Sequence, residues 1–372
     1  MTVALVTGTR PEIIKLYPII RQFDLRSIDY KYIHTGQHYD YNLFLNFIQE
    51  FGIRKPDITI SADISNPVNQ VASIMNKIGI VLNEIRPSVI LVEGDTNSVL
   101  ASALSGLKSN IPIAHVESGL RSYDWKTVEE HNRKIVDHIS DILFSPTEIS
   151  TNNLKNENVH GKIYTVGNTV IDAVSLCFIN EKNKNTTSTI NQVPNSQQKQ
   201  QQKDDFILVT MHRSENVDDI TILTEILDAL SESNLKCIFP MHPHTMKRIQ
   251  EYGLSNHISK EIKIIEPVGY LDFLRLLKNC KFVITDSGGI QEEITSPEIN
   301  KRALVLRKYT ERPESVSSNH SVLCRIDQKT IIEQIQILQS GSPKGKDNSF
   351  TSPYGKGNAA LEITDIVEKE YC

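Results

Sequence analysis

Lys281-Phe-Val-Ile-Thr-Asp-Ser-Gly-Gly-Ile-Gln-Glu-Glu293 joins a short apolar run, Phe282 to Thr285, to a polar turn with two glycines. The run has the length and composition of a buried strand. Asp286 and Ser287 are good N-cap residues, and a helical stretch follows the glycines. Glycine lets backbone amides approach a ligand, and a helix N-terminus offers unpaired N–H groups with a partial positive charge. That combination suits a phosphate. With the helix starting near Gly288, Glu293 lies about a turn and a half inside it, where a carboxylate can bind the two hydroxyls of a ribose. An ordinary strand-to-helix turn is the competing reading of these residues alone.

The same strand–turn–helix unit recurs in both directions. At the N-terminus Val3 to Val6 reads as a strand, and Thr7-Gly-Thr-Arg-Pro-Glu12 turns it into a helix through Ile13, Ile14, Leu16 and Ile19. Pro11 fits the first helical turn, where its missing N–H costs nothing. Arg10 stands at the turn and Lys15 further along the helix. The turn is neither G-x-G-x-x-G nor G-x-x-x-x-G-K-[ST], so the usual dinucleotide and P-loop readings lose support. A strand at Tyr32 to His34 precedes the Gln37-His38 loop and a helix through Leu43 and Phe47. Val89 to Val92 is the strongest strand of this half and ends in Glu93-Gly-Asp-Thr96. Ligands of open parallel sheets collect at the carboxyl ends of strands, which marks Asp95 for chemistry, with a capping aspartate as the alternative. Ile111 to His115 delivers Glu117 in the same way. Trp125 leads to Val128-Glu-Glu-His-Asn-Arg133, whose acidic pair alone reads as a complement to the helix dipole. Ile142 to Phe144 and Ile163 to Val166 complete a sheet of alternating strands and helices.

From Glu181 to Asp205 the composition changes to Asn, Thr, Ser and Gln, including Gln197-Gln-Lys-Gln-Gln-Gln202. This is a linker, with residues 1–180 forming one domain and 206–355 the next. The second half repeats the alternation. Phe206 to Thr210 leads to His212, Leu235 to Phe239 to His242 and His244, and Ile262 to Ile265 to a helix with Tyr270 and Phe273. Ala303 to Leu306 ends in Tyr309-Thr-Glu-Arg-Pro-Glu314. His-Pro-His bends at its proline with no further ligand at metal spacing, so no metal is expected. His212, directly after a strand, is the better acid–base or phosphate candidate.

The chain of 372 residues is long enough for two domains. A net charge of −5 argues against nucleic acid as partner. Cysteines 177, 237, 280, 324 and 372 form no C-x-x-C pair, as expected of reduced thiols in a cytoplasmic protein. We read neither a secretory leader nor an apolar run long enough for a membrane span.

Together, Gly8-Thr-Arg-Pro-Glu12, Glu93-Gly-Asp-Thr96, His115-Val-Glu-Ser-Gly-Leu-Arg121, Glu129-Glu-His-Asn-Arg133, Gly167-Asn-Thr-Val-Ile-Asp172, Thr285 to Glu293 and Thr310-Glu-Arg-Pro-Glu314 occur in order along nearly the whole chain. This series closely resembles the non-hydrolysing UDP-N-acetylglucosamine 2-epimerases. The resemblance implies a GT-B fold: two Rossmann-like domains with parallel sheets facing a central cleft, the last helix (about 356–372) packing back on the first. It implies interconversion of UDP-N-acetylglucosamine and UDP-N-acetylmannosamine without NAD or any other cofactor, in a homodimer. By the same resemblance Asp95, Glu117, Glu129 and His212 match catalytic positions. Arg10, Ser287, Gly288 and Gly289 match diphosphate contacts, Glu293 the ribose contact, Lys15 and Arg312 other substrate contacts, and Phe273 an aromatic near uracil, or else a core residue. The chain departs from the family at three places. Trp125-Lys-Thr-Val128 replaces a longer proline-containing loop, Tyr39 and Asp40 follow Gln37 and His38 without the usual polar partner for an activating second UDP-sugar, and Pro297 to Arg302 replaces a Gly-Lys-Pro turn. A hydrolysing epimerase, a GT-B glycosyltransferase and a catalytically silent UDP-sugar sensor are the alternatives.

Overall fold

A computed structural model describes residues 2–36, 48, 51–183, 206–340 and 352–371. They divide into two compact units, Met1–Cys177 with Tyr354–Cys372, and Phe178–Pro353. The Gln37-His38 loop with Tyr39 and Asp40, the helix expected through Leu43 and Phe47, residues 184–205 of the expected linker and Cys372 lie outside the described residues.

The first unit is built on seven parallel strands in the order β3-β2-β1-β4-β5-β6-β7. They are β1 (Val3–Thr7), β2 (Tyr30–His34), β3 (Ile58–Thr59), β4 (Val89–Glu93), β5 (Ile113–Val116), β6 (Ile142–Ser145) and β7 (Lys162–Thr165). β1, β4 and β5 are buried at every position, as parallel strands covered by helices on both faces must be. Val3 pairs with Tyr30 on one side and Val89 on the other, so the strand order reverses between β1 and β4. Gly8 leaves β1 at this switch point. A Cβ there would lie 2.0 Å from Ser98 Oγ and 2.6 Å from Thr35 Oγ1, so only glycine fits.

The second unit has six parallel strands in the order β10-β9-β8-β11-β12-β13. They are β8 (Ile207–Thr210), β9 (Cys237–Pro240), β10 (Ile262–Ile265), β11 (Val283–Thr285), β12 (Ala303–Val305) and β13 (Ser321–Leu323). Here the order reverses between β8 and β11, so His212 and Ser287 follow the two strands that flank the switch point. A core of Ile207, Val209, Phe239, Phe282, Ile284 and Leu304 holds the sheet to its helices. Two parallel sheets wound with helices are what the sequence pattern leads one to expect. The edge strands β3 and β13 are strands that it did not announce.

After residue 353 the chain returns to the first unit. Tyr354 is fully buried with Val170 and Ile171, and its carbonyl accepts the Asn168 N–H at 2.8 Å. Asp172 accepts the N–H groups of Ala359 and Ala360 at 3.3 and 3.0 Å, a carboxylate at the positive end of the final helix Ala359–Tyr371. Arg26 binds that helix through Asp365 and Glu368. Cys177, Cys237, Cys280 and Cys324 are buried thiols. No helix among the described residues is long and apolar enough to cross a membrane.

Candidate active site

Carboxylates gather at the carboxyl ends of β1, β4 and β5. Thr9 is the N-cap residue of the helix Arg10–Arg26, but its side chain makes no bond to the helix amides; Glu12 folds back over the turn instead. Its carboxyl accepts from Gly8 N–H at 2.6 Å and from the Thr9 and Thr96 hydroxyls at 2.8 Å each. Burial pushes Glu12 up to about 7 against those hydrogen bonds. Lys15, on the same helix, is buried; it binds Glu117 and lies 3.6 Å from Glu93 Oε1. Burial, only partly offset by Lys15, holds the Glu93 carboxyl well above the ordinary range, and Glu117, Glu12 and Asp95 add to the shift. Arg10, at the first helical position, is exposed.

Glu117 has a positive φ of 66°, in the left-handed region that a side chain ordinarily avoids at a cost of roughly 1–2 kcal/mol. Flanking hydrogen bonds hold it there: Gly94 N–H to Val116 O at 3.2 Å and Ser118 N–H to Phe144 O at 3.1 Å. Its carboxylate takes Asn168 Nδ2 at 2.9 Å besides Lys15. The rest of the His115–Arg121 motif builds the frame. His115, fully buried, bridges Asp137 Oδ1 and Gly94 O at 2.8 Å each. Arg121 joins Asp137 at 2.7 Å to Glu157 at 2.6 Å.

Asp95 does not cap the following helix; Thr96 does, accepting Val99 N–H at 3.3 Å. The Asp95 side chain, a quarter exposed, is bound instead by Arg133, and its carbonyl accepts Asn132 Nδ2 at 2.9 Å. Glu129 and Glu130 part company. Glu130 is buried and accepts from Ser122 N–H, Ser122 Oγ and Tyr123 N–H as well as Arg133. Burial opposes its ionisation, but those donors and Arg133 outweigh it and hold Glu130 below the usual carboxylate range. Glu129 is exposed, and no hydrogen bond or ion pair engages its side chain among the described residues.

In the second unit, Asp286 does not cap the helix after β11 either. Fully buried, it accepts the N–H groups of His212 and Arg213 at 3.0 and 2.9 Å and Asn216 Nδ2 at 3.2 Å. His212 Nδ1 lies 3.3 Å from its other oxygen. Burial works against ionisation of Asp286, yet the imidazole and the two amides hold it below the ordinary carboxylate value. The half-exposed His212 ring is thereby oriented.

Ser287 is the N-cap residue of the helix Gly288–Glu293, with no side-chain hydrogen bond to the helix amides. At Gly288 a Cβ would lie 2.7 Å from Glu311 Oε1 and 3.5 Å from the Arg312 guanidinium, whereas a Cβ on Gly289 would meet nothing within 4 Å. Glu311 gathers arginines: Arg312 at 2.8 Å, Arg307 at 2.8 Å and Arg213 at 3.7 Å. Arg312 also donates to buried Glu292 at 2.8 Å. Glu293 ends the helix, buried, and accepts the Tyr270 hydroxyl at 2.9 Å. Phe273, one turn beyond Tyr270, is partly exposed.

The sequence reading missed Asn168, Arg133, Tyr270 and the Glu311 cluster as site residues. Asn168, Arg133 and Glu311 lie inside motifs that it quoted; the partners only become visible on folding. His242 accepts its own His244 N–H at 3.2 Å, and among the described residues no group of three or more His, Cys, Asp or Glu side chains is placed to hold a metal.

Residues 22–368 match the family model described as UDP-N-acetylglucosamine 2-epimerase. A protein of Methanocaldococcus jannaschii named UDP-N-acetylglucosamine 2-epimerase is 40% identical over 375 residues, 99% of this chain and 99% of its own. A crystal structure of the enzyme of that organism in complex with UDP-GlcNAc and UDP superposes with a TM-score of 0.87 at 39% identity, covering 99% of this chain and 100% of its own. A Pseudomonas aeruginosa protein named UDP-2,3-diacetamido-2,3-dideoxy-D-glucuronate 2-epimerase is 35% identical over 379 residues, 99% of this chain and 100% of its own.

Proposed function

Because this chain belongs to the UDP-N-acetylglucosamine 2-epimerase family, we propose that it interconverts UDP-N-acetylglucosamine and UDP-N-acetylmannosamine without hydrolysis and without NAD. The observation that carries the reading is the set of carboxylates at the β1/β4 switch point, Glu117 above all, held in a strained conformation between a lysine and an amide.

Hydrogen at sugar carbon 2 is not acidic, since no carbonyl adjoins it. Departure of UDP from carbon 1 supplies the electron demand. The C2–H pair becomes the C1=C2 bond of a 2-acetamidoglucal, the C1–O pair leaves with UDP, and the proton passes to a carboxylate. UDP then adds back to carbon 1 while carbon 2 takes a proton on the opposite face. Each positioned acid–base group in such a route is worth about 10²–10⁴-fold. Residues 1–180, with the last helix, form the sugar-acting domain, in which Asp95, Glu117 and Glu129 exchange protons with the sugar. Residues 206–355 form the UDP-binding domain. There Ser287, Gly288 and Gly289 take the diphosphate on their backbone, Glu293 the ribose and Phe273 the uracil. His212 stands beside the leaving phosphate. Arg10, Lys15 and Arg312 supply positive charge, since holding the departing diphosphate is the largest electrostatic demand of the step. The enzyme acts as a homodimer in the cytoplasm.

The test is a proton NMR time course of the full chain with UDP-N-acetylglucosamine and no dinucleotide. UDP-N-acetylmannosamine is expected; free N-acetylmannosamine with UDP would mark a hydrolysing enzyme. Turnover of a UDP-2,3-diacetamido uronate alone would move the substrate to that of the Pseudomonas relative.

A further inference from the structure

Asn168 stands just before the helix Thr169–Asn183, buried, with three polar groups engaged at once. Its backbone N–H donates to Tyr354 O at 2.8 Å, Oδ1 accepts Val170 N–H at 2.9 Å, and Nδ2 donates to Glu117 Oε2 at 2.9 Å. The Val170 bond fixes the amide: the oxygen must face that N–H, so the donor end faces the carboxylate. Asn168 itself is fixed by the returning chain. At the preceding Gly167 (φ 90°) a Cβ would lie 3.0 Å from Tyr354 O and 3.5 Å from Gly355 Cα, so the two backbones are in contact.

Glu117 faces Lys15 from the helix Arg10–Arg26 and Glu93 from the end of β4, with Glu12 and Asp95 in the same cluster. Among these groups Asn168 is a neutral donor. It favours the ionised carboxylate and fixes its orientation without adding a charge that would blunt its basicity.

We propose that Asn168 is the positioning residue of Glu117, and that the backbone clasp between Gly167 and Tyr354 sets the orientation and basicity of that carboxylate through the Asn168 amide. The inference rests on the reading of Glu117 as an acid–base group. The clasp then contributes to turnover and not to UDP affinity.

The decisive variant is Asn168→Asp, compared with Asn168→Ala and Asn168→Ser. Aspartate keeps an acceptor for Val170 N–H and the backbone bond to Tyr354, so both anchors of the residue remain. It replaces the donor facing Glu117 by a second carboxyl, and two such groups in contact titrate as a pair with one value raised. The measurements are turnover against pH, the Michaelis constant, and UDP binding by calorimetry. Asn168→Asp is expected to bind UDP as the parent does while turnover falls about 10²-fold and the pH–rate profile moves up by about one unit. Asn168→Ala should lose turnover with a smaller shift, and Asn168→Ser, which keeps a donor, should recover part of that loss. An Asn168→Asp variant with parent-like turnover and profile overturns the inference. So does activity lost only in step with UDP binding and melting temperature, with the profile unmoved. A parent that does not epimerise overturns the functional reading and this inference with it; an active parent beside a parent-like Asn168→Asp overturns this inference alone.

Discussion

Arg133 bridges two carboxylates, with Nη2 2.5 Å from Asp95 Oδ2 and Nη1 2.5 Å from Glu130 Oε2. The bridge ties a partly buried carboxylate just past β4 to a fully buried one in the helix Val128–Ile139. It explains why neighbouring glutamates in that helix have different duties. Glu130 is fixed by four donors; Glu129 is left to the solvent side. Glu130→Gln is therefore expected to destabilise the protein by about 2–3 kcal/mol, as expected when a buried charged hydrogen-bonding set is broken. Glu129→Gln should leave the melting temperature unchanged and lower turnover. Thermal unfolding beside steady-state rates checks both; equal effects of the two variants would contradict the division.

The two halves of the molecule should separate in kinetics. Glu293 is held by Tyr270; as the proposed ribose contact it would bind alike in ground and transition states, so Glu293→Ala should mainly raise the Michaelis constant. Asp95→Asn and Glu117→Gln keep shape but lose basicity. They should bind UDP nearly as the parent does, with turnover down about 10²–10⁴-fold. Carboxamide variants that turn over within a few-fold of the parent would make these carboxylates structural.

The two glycines after Ser287 should fail in different ways. A methyl group on Gly288 meets Glu311 Oε1 at 2.7 Å and disturbs the arginine cluster, so Gly288→Ala should lower the melting temperature. Gly289 has open space around its Cβ position, so Gly289→Ala should fold like the parent and, on the proposal that this space receives the diphosphate, lose UDP affinity. Differential scanning calorimetry and UDP titration of both variants provide the check.

Glu12 ties stability to pH. Its carboxyl is raised from 4.5 to about 7 in the folded chain, chiefly by burial. Below pH 4.5 folded and unfolded chains both carry the proton; between that value and about 7 the unfolded chain releases it first. Stability therefore falls as pH rises through this window, by about 3 kcal/mol in total, and levels off above it. In Glu12→Gln that part of the slope is absent. Unfolding free energies of parent and variant across the window test the sign; parallel curves would show that Glu12 titrates normally.

The strand–turn–helix units were legible because their signals are local. Apolar runs of four or five residues announce the strands, with a glycine turn after β1, β4 and β11, and β1, β4, β8 and β11 stand where those runs predicted. β3 and β13 were not announced: two and three residues at a sheet edge leave no run to see. Motif residues such as Glu117 and Glu293 could be named in advance, but not their partners. Lys15 is 102 positions from Glu117 and Asn168 is 51, separations that no local period encodes. Asp286 shows the limit in the other direction. Its place ahead of a helix reads as a cap, whereas burial beside β8 turns it toward the amides of His212 and Arg213.

The central claim is that the sugar passes through an intermediate that has lost its carbon-2 hydrogen. The most direct measurement is epimerisation of UDP-N-acetylglucosamine in deuterium oxide without NAD, followed by proton NMR and mass spectrometry. The account predicts UDP-N-acetylmannosamine with deuterium at carbon 2. Product that retains its original hydrogen, or turnover that requires NAD, would contradict it.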